Sequence, residues 1–211
     1  MISKLESQAI KLQRKLSKKV ISKNSHPKEI RTVCGVDVSY HENLAFCSAI
    51  ILDIENLNIV ESIRISKKVS HPYIPGVFML RESDPILNVL NKLKTDFDLL
   101  LIDGHGRLHP RFCGLACYIG IKINKPTIGV AKKLLCGNVK SNSKIEYDGK
   151  ILGFELKNKK KRIYVSIGHK ISLNSAVSFV KRLILQDKWY PEPLRLADSD
   201  SKIFRKQYFQ N

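Results

Sequence analysis

Residues 102–110, IDGHGRLHP, carry two histidines four apart beside an aspartate. On a helix, His105 and His109 would share one face and could grip a zinc ion. The neighbours favour a different arrangement. Gly104 and Gly106 lower helix propensity, Pro110 closes the stretch, and the apolar run at 99–102 reads as a fully buried strand. Asp103 is then the last residue of a core strand, followed by a glycine turn. Asp37, in GVDVSY, lies inside another apolar strand, where an unpaired carboxylate is strongly disfavoured by desolvation. A bound cation, a lysine or a row of backbone donors must compensate it, or it is a buried structural acid. Glu82, in LRES, follows a proline-rich segment. If the strands holding Asp37 and Asp103 are neighbours, the two aspartates approach across the sheet and Glu82 reaches them from the connection between. Three converging carboxylates in a basic protein suit magnesium, a hard ion that prefers oxygen ligands and acts on phosphates.

The elements that would position these acids follow from periodicity. Over 3–23, Leu5, Ala9, Leu12, Leu16 and Val20 recur at steps of three and four among Lys11, Arg14, Lys15, Lys18 and Lys19, which predicts a basic amphipathic helix. Three segments, 31–40, 43–54 and 58–69, are rich in Val, Ile and Cys and separated by short polar breaks, an antiparallel meander. Asp84 and Pro85 look like a helix start, a cap followed by proline in the first turn, with Ile86, Leu87, Leu90 and Leu93 as the apolar face. A strand at 98–103, a helix at 111–122, a strand at 126–131, a hairpin over 144–167 and a helix at 173–186 follow. The tail from Trp189 reads as a loop and a short last helix. The expected architecture is α/β, a mixed central sheet of meander plus parallel strands flanked by helices, in one domain spanning 1–211.

The net charge of +18, from 37 Lys and Arg against 19 Asp and Glu, sets up a field that attracts polyanions, nucleic acid first among them. The cluster at 157–162 near the hairpin turn can track phosphates or be a solvated turn. No run is apolar enough for a membrane span or a secretory signal, so the expected compartment is the cytoplasm. The five cysteines, Cys34, Cys47, Cys113, Cys117 and Cys136, form no zinc-ribbon pair and are expected as free thiols.

Taken together, GVDVSY, HPYIPGVFMLRE, IDGHGRLHP and PTIGVAKKLL resemble, in order and spacing, the motifs of the endonuclease V family, the deoxyinosine 3′ endonucleases, over about 30–136, with PEPLRLAD similar to the family's C-terminal stretch. The resemblance implies a ribonuclease H-like fold. It implies metal-binding carboxylates at Asp37, Asp103 and Glu82, a catalytic-site histidine at His109, a catalytic-site lysine at Lys132, and Arg81 beside the acids. Tyr73, with Ile74 and Pro75, matches the family's strand-separating wedge, a rigid apolar loop able to fill the gap left by an extruded base. Beside it, Gly76 and Gly104 would let backbone amides approach a hypoxanthine edge. The implied reaction is Mg²⁺-assisted hydrolysis, with Mn²⁺ able to substitute, of the second phosphodiester bond 3′ to deoxyinosine in damaged DNA, leaving 3′-hydroxyl and 5′-phosphate ends. Inosine in RNA and a catalytically silent nucleic-acid-binding module are the alternatives, and a monomer is expected. Asp198, in RLAD, has no assigned role beyond capping the last helix.

Overall fold

The computed structural model describes residues 4–26, 29–69, 74, 76, 77 and 79–210. Three long strands, β1 (Thr32–His41), β2 (Leu44–Asp53) and β3 (Ile59–Lys68), form the meander at the predicted positions. Helix α2 (Met79–Leu90) leads to β4 (Leu99–Asp103), helix α3 (Leu115–Ile123) to β5 (Thr127–Ala131), and both strands run parallel to β1. The remainder is β6 (Asn138–Val139), β7 (Lys144–Tyr147), β8 (Lys150–Asn158) and β9 (Lys161–His169), then α4 (Leu173–Arg182) and α5 (Glu192–Tyr208), with α1 (Lys4–Ser17) at the start. The sheet order is β3-β2-β1-β4-β5-β9-β8-β7-β6. An antiparallel meander whose first strand pairs in parallel with the fourth is the ribonuclease H-like arrangement, a mixed α/β sheet with helices on both faces.

Alternation along the strands divides the core. Val33, Leu52, Leu99, Leu101, Ile128 and Val165 pack under α4 and the start of α5. Cys34, Val36, Ile51, Leu100 and Ile102 face the other way, onto α2 and α3. Gly35 shows how closely α5 lies on its face: a Cβ there would stand 2.3 Å from the Pro193 backbone, an overlap only glycine avoids.

Several boundaries differ from the sequence reading. Helix α1 stops at Ser17 rather than 23, and its buried stripe is Ala9, Gln13 and Leu16, with Leu12 exposed. Helix α2 begins at Met79, five residues before the Asp84–Pro85 signal, and Pro85 sits inside it. Met79, Ile86, Val89 and Leu90 bury a continuous stripe, and that packing outweighs the hydrogen bond the proline omits. Asp84 pairs with Lys67 at 2.7 Å instead of capping. Helix α3 starts at Leu115, not 111, because Gly114 is extended and Phe112 takes a positive φ. The 144–167 hairpin is three strands, with short β6 added at the edge. The tail is no loop. Pro191 caps α5 and Pro193 lies in its first turn, where no amide hydrogen is needed, so the prolines start a 17-residue helix. All five cysteines are free, and among the described residues no helix is long and apolar enough to cross a membrane.

Candidate active site

Val36 of β1 pairs with Ile102 of β4 in a parallel register. Asp37 and Asp103 are the next residues along each strand and therefore project from the same face of the sheet. Lys132 follows the end of β5, next to β4, and its ammonium reaches Asp103 at 2.7 Å. The same ammonium lies 3.6 Å from Asp198, which also pairs with Lys202 at 2.6 Å one helical turn on. Asp198 is thus in the body of α5, not at a cap, and brings a fourth carboxylate to the group. Leu194, Ala197 and Ser201 are buried and turn one helix face toward β1, which leaves Asp198 at its border, a placement the sequence did not signal.

The acids feel one another. Burial raises Asp37 first, and the charges of Asp103 and Asp198 add to it, to a pKa of about 6 despite a 3.0 Å hydrogen bond donated by Ser201 and the field of Lys132. Glu82, buried on α2, is pushed well above the carboxylate range by burial and by Asp37 and Asp103. Burial pulls Lys132 down, but Asp103, Asp198 and Asp37 together outweigh it and raise its pKa. Its ammonium also lies 4.7 Å from the centre of the Tyr190 ring. Ser39 donates to the Ser201 carbonyl at 3.0 Å and Arg205 to the Tyr40 carbonyl at 2.9 Å, so α5 is bolted to β1 just beyond Asp37.

Among the described residues no three His, Cys, Asp or Glu side chains form a ready-made metal cage. The donor set nonetheless fits a hard divalent cation: carboxylate oxygens only, mutually repelling, and only partly neutralised by Lys132 and by Lys202 on Asp198. The zinc arrangement is not formed. His105 bonds the Lys133 carbonyl at 2.9 Å, whereas His109 bonds the Gly76 carbonyl at 3.0 Å. The His109 Nδ1 accepts the Arg111 amide at 3.1 Å, so Nε2 carries the ring proton. Burial, then the nearby Arg111 charge, lowers its pKa to about 4. His109 is a neutral ring with both nitrogens engaged.

Beside Asp103 opens a cavity of about 420 Å³, lined among others by Gly76, Met79, Gly104, His109 and Leu135. Both glycines expected at a base pocket are on its wall. Gly76 has φ +78 in a turn closed by the Val77 amide donating to the Ile74 carbonyl at 3.1 Å, a conformation glycine adopts without strain. Arg81 stacks over the Tyr40 ring at 4.3 Å, donates to the Glu42 carbonyl and holds Glu82 in its field. Tyr73 and Pro75 lie outside the described residues.

The sequence profile of the family Endonuclease V matches residues 14–199. The chain belongs to the endonuclease V family. It is 40% identical over 188 residues to the endonuclease V of Thermofilum pendens, covering 86% of this chain and 81% of that protein. The crystal structure of the endonuclease V of Bacillus subtilis superposes with a TM-score of 0.88 at 30% identity, over all of this chain and 95% of the other. The endonuclease V of Ciona intestinalis, solved in complex with a 24mer DNA containing an inosine followed by a ribo-adenosine, superposes with a TM-score of 0.87 at 27% identity, over 96% and 98%. The endonuclease V match includes every acid of the site as well as Lys132 and Asp198.

Proposed function

We propose that the protein is an inosine-directed DNA repair endonuclease that extrudes the base into the 420 Å³ cavity and cuts the second phosphodiester bond 3′ to it. One observation carries the reading: Asp103 belongs both to the acid group and to the cavity wall, so a nucleotide seated in the cavity places its neighbouring backbone beside the carboxylates. A pocket for the base and a separate cluster for the phosphate are what cleavage at an offset from the lesion requires.

Asp37, Asp103, Asp198 and Glu82 would hold the cation. Mg²⁺, or Mn²⁺ in its place, would screen the acids from the phosphate and make a coordinated water easier to deprotonate. Hydrolysis adds water oxygen to phosphorus and breaks the bond to the 3′ oxygen, which takes a proton and leaves as a 3′-hydroxyl, with the phosphate retained on the 5′ side. Lys132 stands where its ammonium can meet negative charge developing on phosphate oxygens. Ser201 holds the Asp37 carboxylate in one orientation. Tyr73, Ile74 and Pro75 would fill the gap left by the base, with Arg81 near the strand as it passes Glu82. Exposed lysines, including those at 157–162, supply phosphate contacts, and the protein acts as a cytoplasmic monomer.

A labelled duplex with one deoxyinosine tests this. Cutting should appear only when Mg²⁺ or Mn²⁺ is added and give 3′-hydroxyl and 5′-phosphate ends one nucleotide beyond the lesion's own 3′ linkage. Binding in EDTA that never becomes cutting after metal is added would mean a binding module instead. The ribo-adenosine in the strand bound by the Ciona relative supports a second reading, inosine in RNA, and a matched RNA substrate cut much faster than the DNA would select it.

A further inference from the structure

Gln13 is 1% exposed, the one buried polar residue among the described positions of its helix, and the reason lies across the cavity wall. Its amide nitrogen donates to the Gly76 carbonyl at 3.1 Å. The same oxygen accepts from His109 Nε2 at 3.0 Å and from Arg111 Nη2. Arg111 in turn donates Nε to the Gln13 side-chain oxygen at 2.6 Å and its backbone amide to His109. A carbonyl oxygen has two lone pairs, and here three donors from two separate parts of the chain converge on one. Gln13, Gly76 and His109 all line the cavity.

The consequence is chemical. Hypoxanthine and adenine differ at C6, which bears a keto oxygen in the first and an amino group in the second, and at N1, which carries a proton in the first and a lone pair in the second; the C6 group is the one at issue. A backbone carbonyl free on the cavity wall would accept a hydrogen bond from that amino group and so favour the undamaged base. A carbonyl already saturated cannot, and an amino group set against it would remain unpaired on burial, a penalty that rejects it. The donors also keep the turn at Gly76 from shifting by the few tenths of an ångström that would let either base settle. Gly76 itself must stay a glycine, since a Cβ would stand 2.9 Å from Arg111 Nη2 on top of the positive φ.

We infer that Gln13 and Arg111 are specificity-determining positioning residues, which saturate the Gly76 carbonyl and thereby deny adenine an acceptor in the base cavity. The inference rests on the cavity being the base site, as proposed above. It gives the N-terminal helix a part in selection, through a residue neither basic nor exposed.

The experiment measures affinity, in EDTA so that binding is separate from cutting, for two single-stranded oligonucleotides identical except for deoxyinosine or deoxyadenosine at one position. Gln13→Met keeps length and removes the donor; Arg111→Lys keeps the charge and removes the fork. Either change alone leaves two donors on the two lone pairs, so the deciding protein carries both, Gln13→Met with Arg111→Lys: His109 alone then remains on the carbonyl, and the inosine-to-adenine affinity ratio should fall by roughly tenfold, as one freed lone pair implies. The exposed control Lys15→Ala should lower both affinities together and leave the ratio alone. Melting curves check that each variant is folded at the assay temperature. If the double variant is not, the single variants carry the test: each keeps two donors, so a ratio that falls in either overturns the inference. A folded double variant whose two affinities drop in parallel, with the ratio intact, has lost only structure and overturns it too. A wild-type protein that shows no preference for deoxyinosine overturns the cavity reading as well, so the two failures are told apart.

Discussion

The acid cluster and the Gly76 turn border the same cavity and are built on opposite principles. At the acids, Asp37, Asp103, Asp198 and Glu82 are brought together with too little to balance them: Lys132 stands between Asp103 and Asp198, with Lys202 on Asp198 and Arg81 beside Glu82. At the turn, one neutral carbonyl receives more donors than it can use. The first region is under electrostatic tension, which the proposed cation would relieve. The second is satisfied and rigid before any ligand arrives. The difference teaches how one pocket can divide its labour: reactive groups gain from being poised, whereas a surface that must tell two similar bases apart gains from being complete.

The comparison breaks most sharply if the acids prove dispensable. Asp37→Ala or Asp103→Ala should lower cutting by roughly a thousandfold or more while keeping lesion binding in EDTA, and undiminished turnover by either variant removes the metal assignment. Asp198→Asn should fall in the same direction by about a hundredfold, checked by single-turnover cleavage.

Stability against pH separates the two regions by sign. Asp37 has a folded pKa of about 6 against an ordinary 3.8, so between those values the native state holds a proton the unfolded chain has lost. Its contribution favours folding at low pH and is lost as pH rises through 4 to 6. Asp37→Asn should therefore stabilise the metal-free protein at pH 7 by roughly 1–3 kcal/mol in urea titrations, an advantage that disappears near pH 4. His109 runs the other way. Its folded pKa of about 4 lies below the ordinary 6.5, so the stability of its neutral, doubly bonded ring is present above 6.5 and lost as pH falls toward 4. A His109→Gln variant whose unfolding profile matches the wild type over that window would show the ring is not held as described.

The smallest effect concerns the solvated charge. Affinity for any strand should fall steeply with salt, and Lys15→Ala should flatten the slope of log affinity against log salt by about one unit if that residue contacts a phosphate. An unchanged slope would confine the interface to other parts of the surface.

Much of the site was legible because its chemistry is unusual for its surroundings. A charged residue inside GVDVSY and another at the end of a buried run are costly unless used, so Asp37 and Asp103 announced themselves, and the glycine-flanked turn after Asp103 argued correctly against a helical zinc site. Glu82 joined them as the acid after the proline-rich segment, and the motifs then supplied Lys132 and the two cavity glycines. Asp198 was not legible in the same way, since an aspartate among RLADSD is ordinary for a solvated helix and the prolines before it looked like loop. Gln13 was hidden for the opposite reason: the amphipathic pattern assigned Leu12 to the core, and only the partners waiting across the gap, Arg111 and Gly76, draw the glutamine inward instead.

By itself the sequence determined the alternation that makes β1, β2 and β3 a meander, the family to which the chain belongs and the acids Asp37, Glu82 and Asp103 of the candidate site, because strand burial and motif spacing are local properties written within a few residues. Which fourth acid joins them, which carbonyl lies at the cavity and which residue of α1 turns inward were decided only by tertiary structure. Those choices depend on contacts between segments about 60 to 160 residues apart, as Gln13 with Gly76 and Asp37 with Ser201, and a hydrogen bond across such a distance leaves no periodic trace in either segment.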